Sequence, residues 1–280
     1  MDISTMFRNC LYSSKDIPEA LEAFEKMLTE TQDPKNIAHA AKIRQYRLLM
    51  KNRRFLSSLR KNFNELYKKI TALYPETRFV IEGRRKSILS YEMKILKSLS
   101  EGESLDLIRD MMGLRIVLFG EATQEQLEDC YEILEMIITF FENKGYILCE
   151  SEPINHHEKV PSGILIPKQS KISPLHAIGV KDYLLHPKSN GYQSLHSVFR
   201  TVNGECFEVQ VRTMQQHVFA ESSLANHRDY KKKKYGDSKI DLDYSKIQIP
   251  GFQYFKETNE LFDFIGLEKS LLILQRNKTF

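Results

Sequence analysis

Between Lys181 and Lys231 the chain gathers residue types suited to phosphate and metal chemistry into about fifty positions, KDYLLHPKSNGYQSLHSVFRTVNGECFEVQVRTMQQHVFAESSLANHRDYK. His186 to Tyr192 reads as a loop: Pro187 lacks a backbone donor, Asn190-Gly191 favours positive φ, and Lys188 supplies a cation. Two strand-like runs follow, Gln193 to Arg200 and Cys206 to Thr213, joined at Val202-Asn203-Gly204, where Asn-Gly is a strong hairpin signal. In the second run Glu208, Gln210 and Arg212 alternate with Phe207, Val209 and Val211. Side chains alternate faces along a strand, so the carboxylate, amide and guanidinium share one face. Taken as a bare strand, that pattern also fits a solvated edge. The adjoining loop argues for a site that contacts polyphosphate or a metal.

The elements that must position these groups can be read from the rest of the 280 residues. That length can bury a sizeable core. Cys10, Cys130, Cys149 and Cys206 are scattered without a CxxC pair, which argues against a disulfide framework or zinc knuckle and fits a reducing cytoplasm. No signal-like apolar segment opens the chain and no run reaches membrane-spanning length, so a soluble cytoplasmic protein with no membrane partner is expected. The formal charge is +4, and ten basic residues against Glu65 alone fall between Lys42 and Lys69. The remainder of the chain is therefore acidic at −5, and this one segment carries the basic excess. It reads either as a solvated flank on a packing helix or as a surface for a polyanion.

Residues 1–30 suggest a short helical lead, and Asp33-Pro34 an N-cap with proline in the first turn. One helix or a pair is expected from there to Tyr74, with Leu48, Phe55, Leu59, Leu66, Ile70 and Leu73 forming an apolar stripe. Phe79 to Ile81 suits a short strand broken at Gly83, followed by Arg84, Arg85 and Lys86 ahead of a helix carrying Ser90 and Lys94, a plausible triphosphate cradle. Ile116 to Phe119 suits a central strand with Asp110 before it. Thr123 and Gln126 form a capping box for a helix buried through Leu127, Tyr131, Leu134, Ile138 and Phe141 and closed by Gly145. Residues 150–177, with four prolines and His156-His157, read as loop. Thr213 and Gln216 cap a last helix with His217, Glu221 and His227, which read as network residues supporting the strand of Glu208.

Over roughly 78–232 these motifs resemble the synthetase domain of the RelA/SpoT alarmone synthetases. Asp110-x-x-Gly113-x-Arg115 resembles its metal-binding aspartate segment. Lys181-Asp-Tyr183 with Pro187-Lys188-x-Asn190-Gly191-Tyr192-Gln193-Ser194-Leu195-His196 resembles its acceptor loop, and Glu208-Val-Gln210-Val-Arg212-Thr213 with His217 and Glu221 its last strand and helix. The resemblance implies an α+β fold, a nucleotidyltransferase-like mixed β-sheet flanked by helices, over 77–235. A helical N-terminal extension at 1–76 and a tail at 236–280 of unknown role would complete the chain.

The implied reaction moves pyrophosphate from ATP to the ribose 3′-OH of GDP or GTP and releases AMP. It implies Mg²⁺ on Asp110 and Glu208 as metal and catalytic carboxylates, with Glu208 left open between ligand and base. Arg84, Lys86, Ser90, Lys94 and Arg115 would bind ATP. The acceptor would meet Lys181, Lys188, Asn190, Tyr192, Gln193, His196, Gln210 and Arg212, with Tyr192 stacking on its base.

No His-Asp dipeptide occurs and about fifty residues follow the matched stretch, so a small stand-alone synthetase without hydrolase or regulatory modules is expected. The 150–177 segment would be an insertion able to alter acceptor choice. The 42–69 basic residues match no family motif and suggest an alternative, a toxic relative that modifies the 3′ CCA end of tRNA or an adenosine nucleotide. A second copy of the chain and a neutralising antitoxin are further partner classes the sequence leaves open.

Overall fold

The computed structural model describes residues 3–14, 17–77, 79–85, 95, 109–119, 123–154 and 163–220. They divide between two compact units. One takes in the chain up to Arg54, Ile95 and residues 109–111. The other takes in 55–85 and 112–220. Among the described residues no helix is long and apolar enough to cross a membrane. The expectations for the 236–280 tail, the helix after Lys86, His156-His157, Glu221 and His227 lie outside the described residues.

In the first unit the N-terminal lead is two helices, α1 (Ile3–Ser13) and α2 (Ile17–Glu30), followed by α3 (Pro34–Lys51). Asp33 caps α3, its carboxylate accepting from Lys35 N at 2.7 Å and Asn36 N at 3.4 Å, while Pro34 spends no donor in the first turn. Phe24, buried, meets Phe7 and the edge of His39. Arg47 of α3 ion-pairs with Glu22 and Glu25 of α2.

The long basic segment is a pair of helices rather than one. It breaks at Asn52, whose N–H bonds back to Leu49 O at 3.1 Å, and α4 (Arg53–Leu73) begins there. The expected single apolar stripe breaks with it. Leu48, counted with the stripe, is exposed because α3 buries Ile43, Tyr46 and Leu49 instead, and Leu73 is exposed at the last residue of α4. Phe55, Leu59, Phe63, Leu66 and Ile70 keep a helical spacing of three or four residues and are buried.

The second unit is built on a mixed sheet of six described strands: β1 (Phe79–Arg85), β2 (Met112–Leu118), β3 (Ile147–Leu148), β4 (Val180–Asp182), β5 (Leu195–Arg200) and β6 (Cys206–Thr213). The order is β1-β2-β6-β5-β3, with β4 also on β5. Only β2 and β6 pair in parallel. Gly83 does not break β1, since its backbone continues the ladder opposite Leu114.

Helix α5 (Gln124–Glu142) starts at Thr123, whose hydroxyl accepts from Gln126 N at 3.2 Å, and ends in a turn where Gly145 takes φ +81°. From α4 comes Phe63 and from α5 Phe141, and both rings meet Phe207 of β6, at 6.1 and 4.9 Å. Phe199 of β5 stacks on Phe207 at 5.4 Å. Each such ring contributes about 1.5–3 kcal/mol by leaving water. One face of the sheet is therefore the core, and the other is left for Glu208, Gln210 and Arg212.

Candidate active site on the polar face of the central strand

The sheet register lines up the polar residues. Arg115 of β2 pairs with Gln210 of β6, Gln210 pairs with His196 of β5, and His196 pairs with Lys181 of β4. Directly paired residues point to the same face, so these four form one row across four strands. Glu208 lies one pleat along the same face of β6, beside Gly113, which presents no side chain, and Val198. Arg212 lies one pleat the other way.

This face is not a solvated edge. β6 sits between β2 and β5, and Gln210 and Arg212 are 6% and 1% exposed. Burial of such groups is tolerable only when they are hydrogen-bonded. Gln210 Nε2 donates to Glu208 Oε2 at 2.7 Å, and Arg115 Nε reaches Gln210 Oε1 at 3.4 Å. His196 Nδ1 lies 2.9 Å from Glu208 Oε1 and its Nε2 lies 2.8 Å from the Tyr192 hydroxyl. The Arg212 guanidinium donates to His217 Nδ1 at 2.9 Å. The helical residues 214–220 follow a reciprocal cap, Thr213 N to Gln216 Oε1 at 2.9 Å and Gln216 N to Thr213 Oγ1 at 3.3 Å.

The acceptor-like loop closes over the row. Gly191 holds φ +83° and donates to Lys188 O at 2.7 Å, Lys188 N donates to Tyr192 O, and Asn190 Oδ1 accepts from Tyr192 N at 3.1 Å. A Cβ at Gly191 would come within 3.0 Å of Ile164 and Phe219, so the position requires glycine on two counts. Lys188 Nζ lies 4.5 Å from the Tyr183 ring centroid and 5.0 Å from that of Tyr192, and Arg212 stands 5.9 Å from Tyr192. Burial pushes the Tyr192 and Tyr183 phenols upward, Tyr183 to about 12. Burial pushes the His196 imidazole down, against the pull of Glu208, which favours the charged ring.

The structure brings together Arg115, Lys188, Asn190, Tyr192, His196, Glu208, Gln210 and Arg212. Lys181 stands at the end of the row and turns its amine to Glu152 at 3.2 Å. Gln193 is buried, and its amide donates to Leu165 O at 2.9 Å and Leu184 O at 3.1 Å, bracing the loop. Arg84 lies in β1 opposite Gly113. Asp110, half-buried, precedes β2 by two residues and belongs to the first unit. Lys86, Ser90 and Lys94 lie outside the described residues. No group of three His, Cys, Asp or Glu able to hold a metal occurs among the described residues.

Sequence reasoning missed the supports. Residues 163–176, read only as loop, form a strap bound to one face of α5. Gln124 donates to Ile166 O at 2.9 Å, Lys171 pairs with Glu128 at 3.7 Å, Ser173 N donates to Glu135 at 2.7 Å, and His176 sits between Glu135 and Glu142. Gln124, Glu128, Glu135 and Glu142 recur at helical spacing, a signal visible in the sequence only once the strap is known. Tyr131 of the same face donates to the buried Asp182, which also accepts from Leu184 N and Leu185 N and so shapes the turn carrying Tyr183.

An α+β unit with a buried, cation-bearing polar face on its central strand is the class of protein this geometry defines. Residues 83–235 match the family model described as a region found in RelA / SpoT proteins, more than half of the chain, and the chain belongs to that family. It is 34% identical over 151 residues to a probable chloroplastic GTP diphosphokinase of Oryza sativa subsp. japonica, covering 54% of this chain and 16% of that protein. It is 30% identical over 151 residues to a GTP pyrophosphokinase of Photobacterium angustum, covering 54% and 15%. The matched stretch thus spans about a sixth of these relatives. Among solved structures it is similar to small alarmone synthetase 2 from Bacillus subtilis, at 20% identity and TM-score 0.40, covering 69% of this chain and 82% of that one.

Proposed function

We propose that this chain transfers pyrophosphate from ATP to the ribose 3′-OH of GDP or GTP. The observation that carries the reading is the row Arg115-Gln210-His196-Lys181, buried at Arg115 and Gln210, with Glu208 beside it and the loop of Lys188 and Tyr192 adjoining. The names of the relatives, GTP diphosphokinase and GTP pyrophosphokinase, support it. In this reading Tyr192 stacks on the acceptor base, and Lys188, Lys181 and Arg212 attract its phosphates. Arg115 with Arg84, Lys86, Ser90 and Lys94 serves the ATP phosphates.

Glu208 receives the proton of the 3′-OH as its oxygen bonds to the β-phosphorus. The bond from that phosphorus to the oxygen bridging the α-phosphate breaks, and AMP leaves with that oxygen. Catalysis of this kind is mostly positioning and charge stabilisation. Glu208 presents two carboxylate oxygens, hard donors that meet His196 Nδ1 and Gln210 Nε2. Its donor chemistry therefore suits a hard ion, and Glu208 with Asp110 would hold Mg²⁺, which would neutralise charge on the transferred phosphates.

The tRNA-directed alternative drew on the basic segment at 42–69. Those residues are split between α3 and α4, and Arg47 is engaged by Glu22 and Glu25, so no observation favours it. Incubation with Mg²⁺ and β-labelled ATP, offering GDP, GTP, ATP and deacylated tRNA in parallel, tests the proposal against a Glu208→Gln control. Label on the guanosine nucleotides is expected. Label on tRNA alone, or on nothing, overturns it.

A further inference from the structure

Glu208, His196 and Tyr192 form a chain of side chains from carboxylate to imidazole to phenol, with links of 2.9 and 2.8 Å. An ionised carboxylate only accepts hydrogen bonds, so the His196 nitrogen facing Glu208, Nδ1, carries the ring proton. Nε2 is then bare and accepts from the Tyr192 hydroxyl. The opposite tautomer would set the Nδ1 lone pair against the carboxylate. Tyr183 packs edge-on to the His196 ring at 5.3 Å and lies 6.1 Å from Tyr192, so both rings are confined. The Tyr192 ring is thereby linked, through one imidazole, to the orientation of Glu208.

We infer that Glu208 and the Tyr192 hydroxyl together set the tautomer of His196 and that His196, a positioning residue, aims the carboxylate of Glu208, coupling acceptor recognition to catalysis. The consequence for turnover rests on the transfer reaction proposed above; the tautomer does not. The phenol has two separable duties: its ring face serves the acceptor base, and its hydroxyl serves the proton-accepting carboxylate. Removing only the hydroxyl should therefore leave acceptor binding largely intact and slow turnover. A metal-ligand or base whose supporting partner is lost typically forfeits about 10–100-fold in activity.

The test combines two readouts on the full chain. Tyr192→Phe is expected to keep the acceptor KM within about twofold and lower kcat about 10–100-fold. His196→Asn, whose amide nitrogen can stand where Nδ1 stands, should retain more kcat than His196→Gln, which leaves Glu208 without that donor. In protein carrying ¹⁵N-histidine and no substrate, the resonance lost in His196→Asn should report a protonated Nδ1 and a bare Nε2, shifting toward mixed tautomers in Tyr192→Phe. A wild-type Nε2–H tautomer overturns the inference, as does wild-type kcat in Tyr192→Phe. If wild-type protein labels no acceptor, the transfer reading fails on its own, and the ¹⁵N spectrum still decides for or against the tautomer.

Discussion

The two faces of β6 are buried to a similar depth and hold opposite chemistry. Phe207, Val209 and Val211 are fully buried, Phe207 against aromatic rings from α4 and α5, while Gln210 and Arg212 on the other face are nearly as inaccessible. On the apolar face stability follows from area removed from water, without regard to direction. On the polar face each group is held by a specific partner, and the arrangement costs desolvation that hydrogen bonds offset. Inaccessibility alone therefore does not separate core from site. Partner geometry does.

Substitutions on each face can break that comparison. Glu208→Gln should lower turnover by about 10²–10⁴-fold, the range for loss of a proton-transfer group, while thermal unfolding shifts little. A large drop in Tm would show the polar face to be structural. Phe207→Ala should do the reverse, costing about 3–5 kcal/mol in urea unfolding. A loss of under about 1 kcal/mol would mean the aromatic cluster repacks freely, and the contrast fails.

Gln193→Ala should fall between the two. It strips the donor from two backbone carbonyls at a cost of about 1–3 kcal/mol, and raises the acceptor KM more than the ATP KM. Equal rises in both would remove the brace from the acceptor loop. The smallest effect is alkaline. Tyr183 and Tyr192 are held protonated by burial, from an ordinary value of 10.0, Tyr183 to about 12. Unfolded tyrosines release protons first, so the stability these phenols contribute is present below pH 10 and lost as pH rises through about 12. Ultraviolet titration should show Tyr183 and Tyr192, together with Tyr74 and Tyr131, titrating above the ordinary tyrosinate transition near pH 10.

Much of the scaffold was legible because it depends on neighbours in sequence. The caps at Asp33, Thr123 and Thr213 were expected from side chains that reach only two or three residues. The hairpin at Asn203-Gly204 was legible for the same reason, with Gly204 at φ +92°. The break at Asn52 was not. No proline or glycine marks it, so Leu48 was assigned to a stripe that belongs to α4. Gln193 sits inside a polar loop motif, and nothing local shows that its amide ties Leu165 to Leu184.

By itself, the sequence determined the alternation of β6, because a strand's period of two follows from backbone geometry. It also determined the turn at Gly191 and the presence of Lys188, Tyr192, His196 and Glu208 in one motif set. Only the tertiary structure decided that β6 lies between β2 and β5, and that the Arg115-Gln210-His196-Lys181 row forms across four strands. It alone laid the strap of 163–176 along α5. Those outcomes depend on pairings between distant segments, whose register is selected by the shared core and not by any residue's neighbours in the chain.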